Sequence, residues 1–452
     1  MTKSHTLAAW RFSTKVLMSM TASLSSPPST AGKVRSRSAL RHEAFRAVWI
    51  AAICSYVGNW LQDVGESWLM LSLTKSPLLV ALVTTSFTVP AFVLMLPAGV
   101  LSDRFDRRKI LIGSQSVLVV VAGLLAILTA LHVVTPAVLL VASAAMGIGS
   151  ALSTPAWQTL VPELVPRSEM PEAVTLNSVA FNIARTVGPA LAGLVLAASG
   201  PAAAFALNAV SFLAVIHVLR SYAQVRTVAE KPRSRSAREP FVRAMWTALV
   251  HAHGSPSLRA LYAAISAFAI AAASVPALLP VFAKETLHSS ASGYGVLLGA
   301  LGGGAIAGAF LLKRIRPMLT PRTLVASGMA LYGVCMAAFT TTRSLTLGVI
   351  LLIPAGVGWL CSLSTLNALV QLTSPRWVKS RAMALYQLAF LLFWSIGATV
   401  GGEIASRVGV PITMGLAALG TLVAAGFVAS LRLPSYADDA DTVPTPPPIS
   451  AR

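Results

Sequence analysis

Residues 78–131 read LLVALVTTSFTVPAFVLMLPAGVLS, then DRFDRRK, then ILIGSQSVLVVVAGLLAILTAL. Each outer run exceeds the ~20 apolar residues that cross a hydrocarbon core. The short loop between them carries Arg104, Arg107, Arg108 and Lys109. Lipid does not solvate charge, so such a stretch reads as two membrane-crossing helices joined by a basic hairpin on one face of the bilayer.

The same alternation runs through the chain. Spans are predicted at 45–74, 78–102, 110–131, 134–160, 172–198 and 201–221, and again at 259–284, 291–312, 321–341, 344–372, 380–406 and 410–431. Over all 452 residues, 55% are apolar and only 11% charged. The mean hydropathy is +0.73. A soluble protein would carry roughly a quarter of its residues charged. The expected architecture is all-α and polytopic, with twelve transmembrane helices in two six-helix halves.

An even number of spans puts both termini on one side. All but five of the 35 Lys and Arg residues fall on that side; the exceptions are Lys75, Lys284, Arg343 and Arg407 opposite, and Arg185 inside a span. The positive-inside rule makes the basic side cytoplasmic, and the expected location is the plasma membrane. The net charge of +20 therefore marks topology, with anionic lipid headgroups as incidental partners. No basic stripe is interleaved with aromatics, so no nucleic-acid partner is expected.

The predicted organisation is a basic, disordered arm at 1–40, a first half at 41–221 and a cytoplasmic linker at 222–258. A second half at 259–432 and a disordered tail at 433–452 complete it. The run from Leu17 to Leu24 is too short and polar for a signal-peptide core. Phe241 to His253 reads as a surface amphipathic helix. Two six-span halves suggest the repeat architecture of secondary transporters, with a binding site at the midplane.

Span 1 carries the most chemistry. Ser55, Asn59, Gln62, Asp63, Glu66 and Met70 recur at steps of three or four and share one face. Asp63 lies roughly 25 Å along the helix from Arg46. Two carboxylates three residues apart in low dielectric can exchange protons near neutral pH, or attract a cationic substrate. The plainer alternative leaves Glu66 among outer headgroups and Asp63 as a structural partner. Arg185 sits about 20 Å into span 5 on the face of Ser178, Asn182 and Pro189. A lone guanidinium there needs a partner, and Asp63 or Glu66 is the expected one, exchanged during transport or held permanently. In the second half, Asn367, Gln371, Tyr386, Gln387 and Trp394 are expected to line the cavity, where aromatics would suit flat or cationic substrates.

The loop Gly99-Val-Leu-Ser-Asp-Arg-Phe-Asp-Arg-Arg-Lys109 resembles the signature loop of the major facilitator superfamily. Gly99, Leu101, Asp103, Arg104, Arg107 and Arg108 match its pattern, while Asp106 stands where Gly is usual. That departure resembles the transmembrane secretion effector (enterobactin-exporter-like) branch. So do Asn59-Trp-Leu-Gln62, Pro155-Ala-Trp-Gln158, Phe181-Asn-Ile-Ala-Arg-Thr-Val-Gly-Pro189 and Arg381-Ala-Met-Ala-Leu-Tyr386. The resemblance covers about 39–432 and implies the twelve-helix rocker fold and export of small molecules, from siderophores to antibiotics. It further implies that Asp103 latches the cytoplasmic side near Ser380 and Arg381. A basic topogenic loop without gating is the alternative.

Gly188, Pro189 and Gly193 partly match a Gly-Pro-Gly pattern that exporters of the superfamily carry on this helix and that is associated with proton antiport. Ordinary helix packing is the other reading. Drug antiporters often also carry an Arg early in span 4; Val134 to Leu160 contains no basic residue.

Other classes are disfavoured. No Gly-Lys-Ser/Thr phosphate loop is present, no nucleophile–base constellation stands out, and the seven His and three Cys show no ligand spacing. No enzyme activity, metal or cofactor is expected. The expectation is a monomeric secondary transporter exporting a small amphiphilic, drug- or siderophore-like molecule in exchange for protons. A proton-independent or importing transporter of the same fold, or a non-transporting scaffold, stays open.

Overall fold

The computed structural model describes residues 39–222, 249–375 and 378–435. Among these, α-helices account for nearly all regular structure and no strand occurs. In chain order they are α1 (Glu43–Leu73), α2 (Pro77–Arg104), α3 (Arg107–Ala130), α4 (Pro136–Glu163) and α5 (Met170–Ser221). The second half holds α6 (Pro256–Ala272), α7 (Ser274–Glu285), α8 (Ala291–Ile315), α9 (Pro321–Thr341), α10 (Leu345–Thr373), α11 (Lys379–Val408) and α12 (Val410–Ser430). The expected arm, most of the linker and its surface helix, and most of the tail lie outside the described residues.

Helix starts follow a repeated local signal. Ser76, Thr135, Ser255 and Thr320 each precede a proline, and each hydroxyl accepts the backbone N–H three residues on. The hydroxyl satisfies an orphan donor, while proline gives up an N–H that would be unpaired anyway. Asp106, the departure from the superfamily loop, does the same for α3: its carboxylate accepts from Arg108 and Lys109 N–H at 2.9 and 3.2 Å.

Two of the predicted boundaries take a different form. Spans 5 and 6 are joined without a loop, the chain reversing inside α5 at Gly200, with φ 74° and ψ 178°. Gly409, between α11 and α12, adopts nearly the same conformation, φ 89° and ψ 156°. Only glycine adopts this region readily. A Cβ at either position would meet nothing within 4 Å. Gly200→Ala and Gly409→Ala should therefore each lose ~1–3 kcal/mol through backbone strain alone, read as a lowered unfolding midpoint of the purified protein.

Span 7 is correspondingly split into α6 and α7 at Ala273. Pro276 has no N–H to return to the Ala272 carbonyl, so the hydrogen-bond ladder is interrupted there.

Ten helical stretches of the described residues are long and apolar enough to cross a membrane. One of them, α5, makes two crossings, and α6 with α7 makes one. The helix α1 falls outside that set because the polar side chains on one of its faces lower its hydropathy. Its 31 residues are ample for a crossing, which brings the total to twelve. Outward stripes such as Val117, Val120, Leu124 and Ile127 on α3 are exposed, as a lipid-facing surface requires.

Within the first half, α1 packs on α5 and α2 on α4; in the second, α8 packs on α10 and α9 on α10 and α12. Phe268, Phe282, Tyr332 and Phe339 are fully buried in the second half. The halves meet along two seams, α2 with α11 and α5 with α8.

Candidate functional site

The seams are tightest at the end where α1 finishes, here called the far end. On one seam, the Thr85 and Thr399 hydroxyls lie 2.9 Å apart, and those of Thr88 and Ser395 2.6 Å apart. On the other, a Cβ built on Gly295 would sit 2.5 Å from Pro189 O and 2.8 Å from Gly193 Cα, so α5 and α8 touch backbone to backbone. Between the seams, Trp68 stacks on Tyr294 at 6.1 Å, and Lys284 donates to the Leu71 carbonyl at 3.4 Å.

Two cavities lie on the near side of this closure. One, of about 700 Å³, is walled by the first half and is the more polar of the two, with Ser55, Asn59, Gln62, Asn177, Ser178 and Asn182 among its lining. The second, of about 330 Å³, lies between the halves and is largely apolar and aromatic. Asp63 and Glu66 line both.

The two carboxylates are held differently. Asp63 is exposed to the cavities, whereas Glu66 is 3% exposed. Gln62 Nε2 donates to Glu66 Oε1 at 2.7 Å, one turn away on α1. Ser143 of α4 hydrogen-bonds the other oxygen of Glu66, and its hydroxyl also lies 3.0 Å from the Leu139 carbonyl. Asn208, beyond the turn of α5, donates to Gln62 Oε1 at 3.2 Å, and Ser211 bonds back to Asn208. Gly58 makes this possible, since a Cβ there would lie 2.4 Å from Asn208 Oδ1. All five polar side chains are buried, and their hydrogen bonds offset the cost of removing them from water.

Ser143 and Asn208 went unflagged in the sequence. A lone serine on span 4 carries no pattern, although an amide amid the apolar run of span 6 is a usable signal. Met70 shares the acidic face by spacing but is fully buried in the core instead.

Arg185 lines the smaller cavity with Asp63 and Glu66. It makes no ion pair or hydrogen bond among the described residues. The expected pairing is therefore absent here, and both oxygens of Glu66 are already taken. Asn182 is exposed in the larger cavity and donates to the Ser178 carbonyl at 2.8 Å.

In the second half the placements differ from expectation. Tyr386 is 3% exposed and packed into the core, because its side of α11 faces the half's interior. Asn367 accepts from exposed Gln371 at 2.6 Å, Gln387 is exposed, and neither Asn367 nor Gln387 lines the two cavities. Of that set Trp394 does line the smaller cavity, together with Trp359, which went unflagged in the sequence; their ring centroids are 5.4 Å apart.

Gly188 packs on Trp60, where a Cβ would lie 2.6 Å from the ring, and Gly193 belongs to the α5–α8 seam. Pro189 lies inside α5, where the departure from helical geometry occurs at Gly200. In the basic loop, Arg107 pairs with Glu163 of α4. Arg108 donates to the Leu219 and Arg220 carbonyls at 2.6 and 3.2 Å, where cations suit a helix C-terminus. Both contacts stay within the first half. The side chains of Gly99, Asp103, Arg104 and Ser380 lie outside the described residues, and Arg381 is partly exposed.

Two packed six-helix halves around a central cavity define a polytopic carrier fold. The sequence matches the transmembrane secretion effector family over residues 35–450. The chain belongs to that family and is a major facilitator superfamily transporter, not an enzyme.

Among its relatives, the enterobactin exporter of Citrobacter koseri is 26% identical over 80% of this chain and 85% of its own length. The staphyloferrin A transporter of Staphylococcus aureus is 29% identical over 39% of this chain, matching only 45% of that transporter. In fold the chain resembles a bacterial homologue of the human lysosomal transporter Spinster, inward-facing and unoccupied. That match has a TM-score of 0.71 at 13% identity and covers 88% of this chain and 97% of the other. A D-xylose–proton symporter aligns with a TM-score of 0.67 at 15% identity, over 88% and 99% of the two chains.

Proposed function

We propose that the protein exports a small amphiphilic, siderophore- or drug-like molecule across the bacterial inner membrane by alternating access, in exchange for protons. The carrying observation is a central cavity that is closed at one end by both interhalf seams and bears two carboxylates on one face of α1. The Lys and Arg asymmetry supports cytoplasmic termini, an orientation in which the closed far end faces outward and the cavity is reached from the cytoplasm. Exposed Ser178, Asn182 and Gln387 support that inward-facing state. The opposite state requires the near end to close, with Asp103 meeting the start of α11 at Ser380 and Arg381. A single chain encloses the whole cavity, which supports a monomer as the working unit.

The relationship to an enterobactin exporter supports outward transport of a siderophore-like cargo. Asp63, open to the cavities, and Glu66, behind it in the polar network, supply the proton sites. Gly188, Pro189 and Gly193 keep α5 close to α1 and α8, so movement of the halves is felt at the acid pair.

The test is a proteoliposome with a pH-sensitive dye inside, challenged in turn with siderophores, macrolides, tetracyclines and cationic dyes. Substrate-triggered proton movement is the expected result. Substrate flux without proton movement would retain the carrier and discard the coupling; flux only in the import direction would reverse its assigned direction.

A further inference from the structure

Resting on that reading, we infer that Arg185 and the indoles that share its cavity form an anion subsite, and that the cargo is an aromatic compound bearing a carboxylate or phenolate. The argument begins with charge. The smaller cavity has three charged residues in its lining, Asp63, Glu66 and Arg185. Glu66 is committed to Gln62 and Ser143. Asp63 also faces the larger chamber, whose size and polar lining leave room for water around it. Arg185 has neither provision: it lines only the smaller cavity and has no hydrogen-bond acceptor among the described residues. A guanidinium carries five N–H donors in a planar fork that matches a carboxylate, and leaving them unmatched in an apolar pocket is costly. An anionic ligand removes that cost.

The remaining wall sets the other half of the ligand. Trp60, Phe87, Tyr294, Trp359 and Trp394 line the same cavity, and the second half contributes no charge to it. Trp359 is fixed by ring contacts to Phe268, Tyr332 and Trp394, with centroids 5.2 to 5.5 Å apart. Rigid aromatics beside an unmatched cation favour a ring that carries its own negative charge. A volume of about 330 Å³ holds a fused two-ring compound.

The test uses three probes on one ring system: 2-naphthoate, its neutral amide and 2-naphthylmethylammonium. Binding to protein in nanodiscs is measured by equilibrium dialysis, with empty nanodiscs subtracted. Wild type should prefer the carboxylate to the amide by about tenfold. In Arg185→Gln that ratio should fall to near one while amide affinity is retained, which also shows that the variant is folded. Arg185→Lys should keep part of the preference. A preference for the amide or the cation, a carboxylate preference that survives Arg185→Gln, or no binding of any probe would each overturn the subsite. The proteoliposome assay reads proton coupling whatever the charge of the cargo. A coupled carrier that prefers cations would thus lose this inference and keep its proposed function.

Discussion

Glu66→Gln is expected to fold normally and to lose substrate-triggered proton movement by at least about tenfold, the scale of losing a positioned proton-transfer group. The amide reproduces the shape and bonds of a protonated Glu66. Its oxygen accepts from Gln62 Nε2, and its NH₂ donates to Ser143, whose hydroxyl then turns to the Leu139 carbonyl. What it cannot do is release a proton. Glu66→Ala separates structure from chemistry: Ser143 can still turn to the Leu139 carbonyl, but the Gln62 amide N–H₂ stays buried without its acceptor, at about 1–3 kcal/mol. That variant should be visibly less stable, whereas Glu66→Gln should unfold near the wild-type midpoint. Asp63→Asn, exposed and outside the network, should also lower proton movement with little effect on stability. Wild-type proton flux in both Glu66→Gln and Asp63→Asn would end the acid-pair account of coupling.

Gly295→Val is expected to stop transport by preventing closure of the far end. The added carbons would meet the Pro189 carbonyl and Gly193 Cα, which are backbone and cannot swing aside. Overpacking of this kind costs ~1–3 kcal/mol, equivalent to roughly a 5- to 150-fold shift between closed and open seams. The shift can be seen directly with Thr84→Cys on the cavity wall, after Cys54, the one exposed native cysteine among the described residues, is replaced by serine. A membrane-impermeant thiol reagent added from outside should label the introduced thiol faster when Gly295→Val is also present. Gly303→Val is the matched control on the same helix, because a Cβ at Gly303 meets nothing within 4 Å. Equal labelling and transport in the Gly295 and Gly303 variants would show that the α5–α8 contact is not part of the closed state.

Hydropathy, charge and spacing along the chain already reveal the number of crossings, their division into two halves, the side on which positive charge collects, and the shared face of Asn59, Gln62, Asp63 and Glu66. Each of these follows from one-dimensional rules: the length needed to cross hydrocarbon, the low solubility of charge in lipid, and the rise and turn of a single helix. Even the split of span 7 at Ala273 has a local cause in Pro276.

Which side chains from different helices meet depends on how the helices pack in three dimensions. Asp63 and Glu66 look equivalent along α1, yet α4 brings Ser143 to Glu66, the second part of α5 brings Asn208 to the Gln62 amide that also holds Glu66, and Asp63 is left open. Charge alone would pair Arg185 with one of these acids, yet it shares their cavity with no bond to either among the described residues. Tyr386 and Trp394 lie two helical turns apart on α11, and one is buried in the core while the other lines the cavity. Helical periodicity gives the angle of a side chain about its own axis; where that angle points depends on crossing angles and close approaches set by glycines such as Gly58, Gly193 and Gly295.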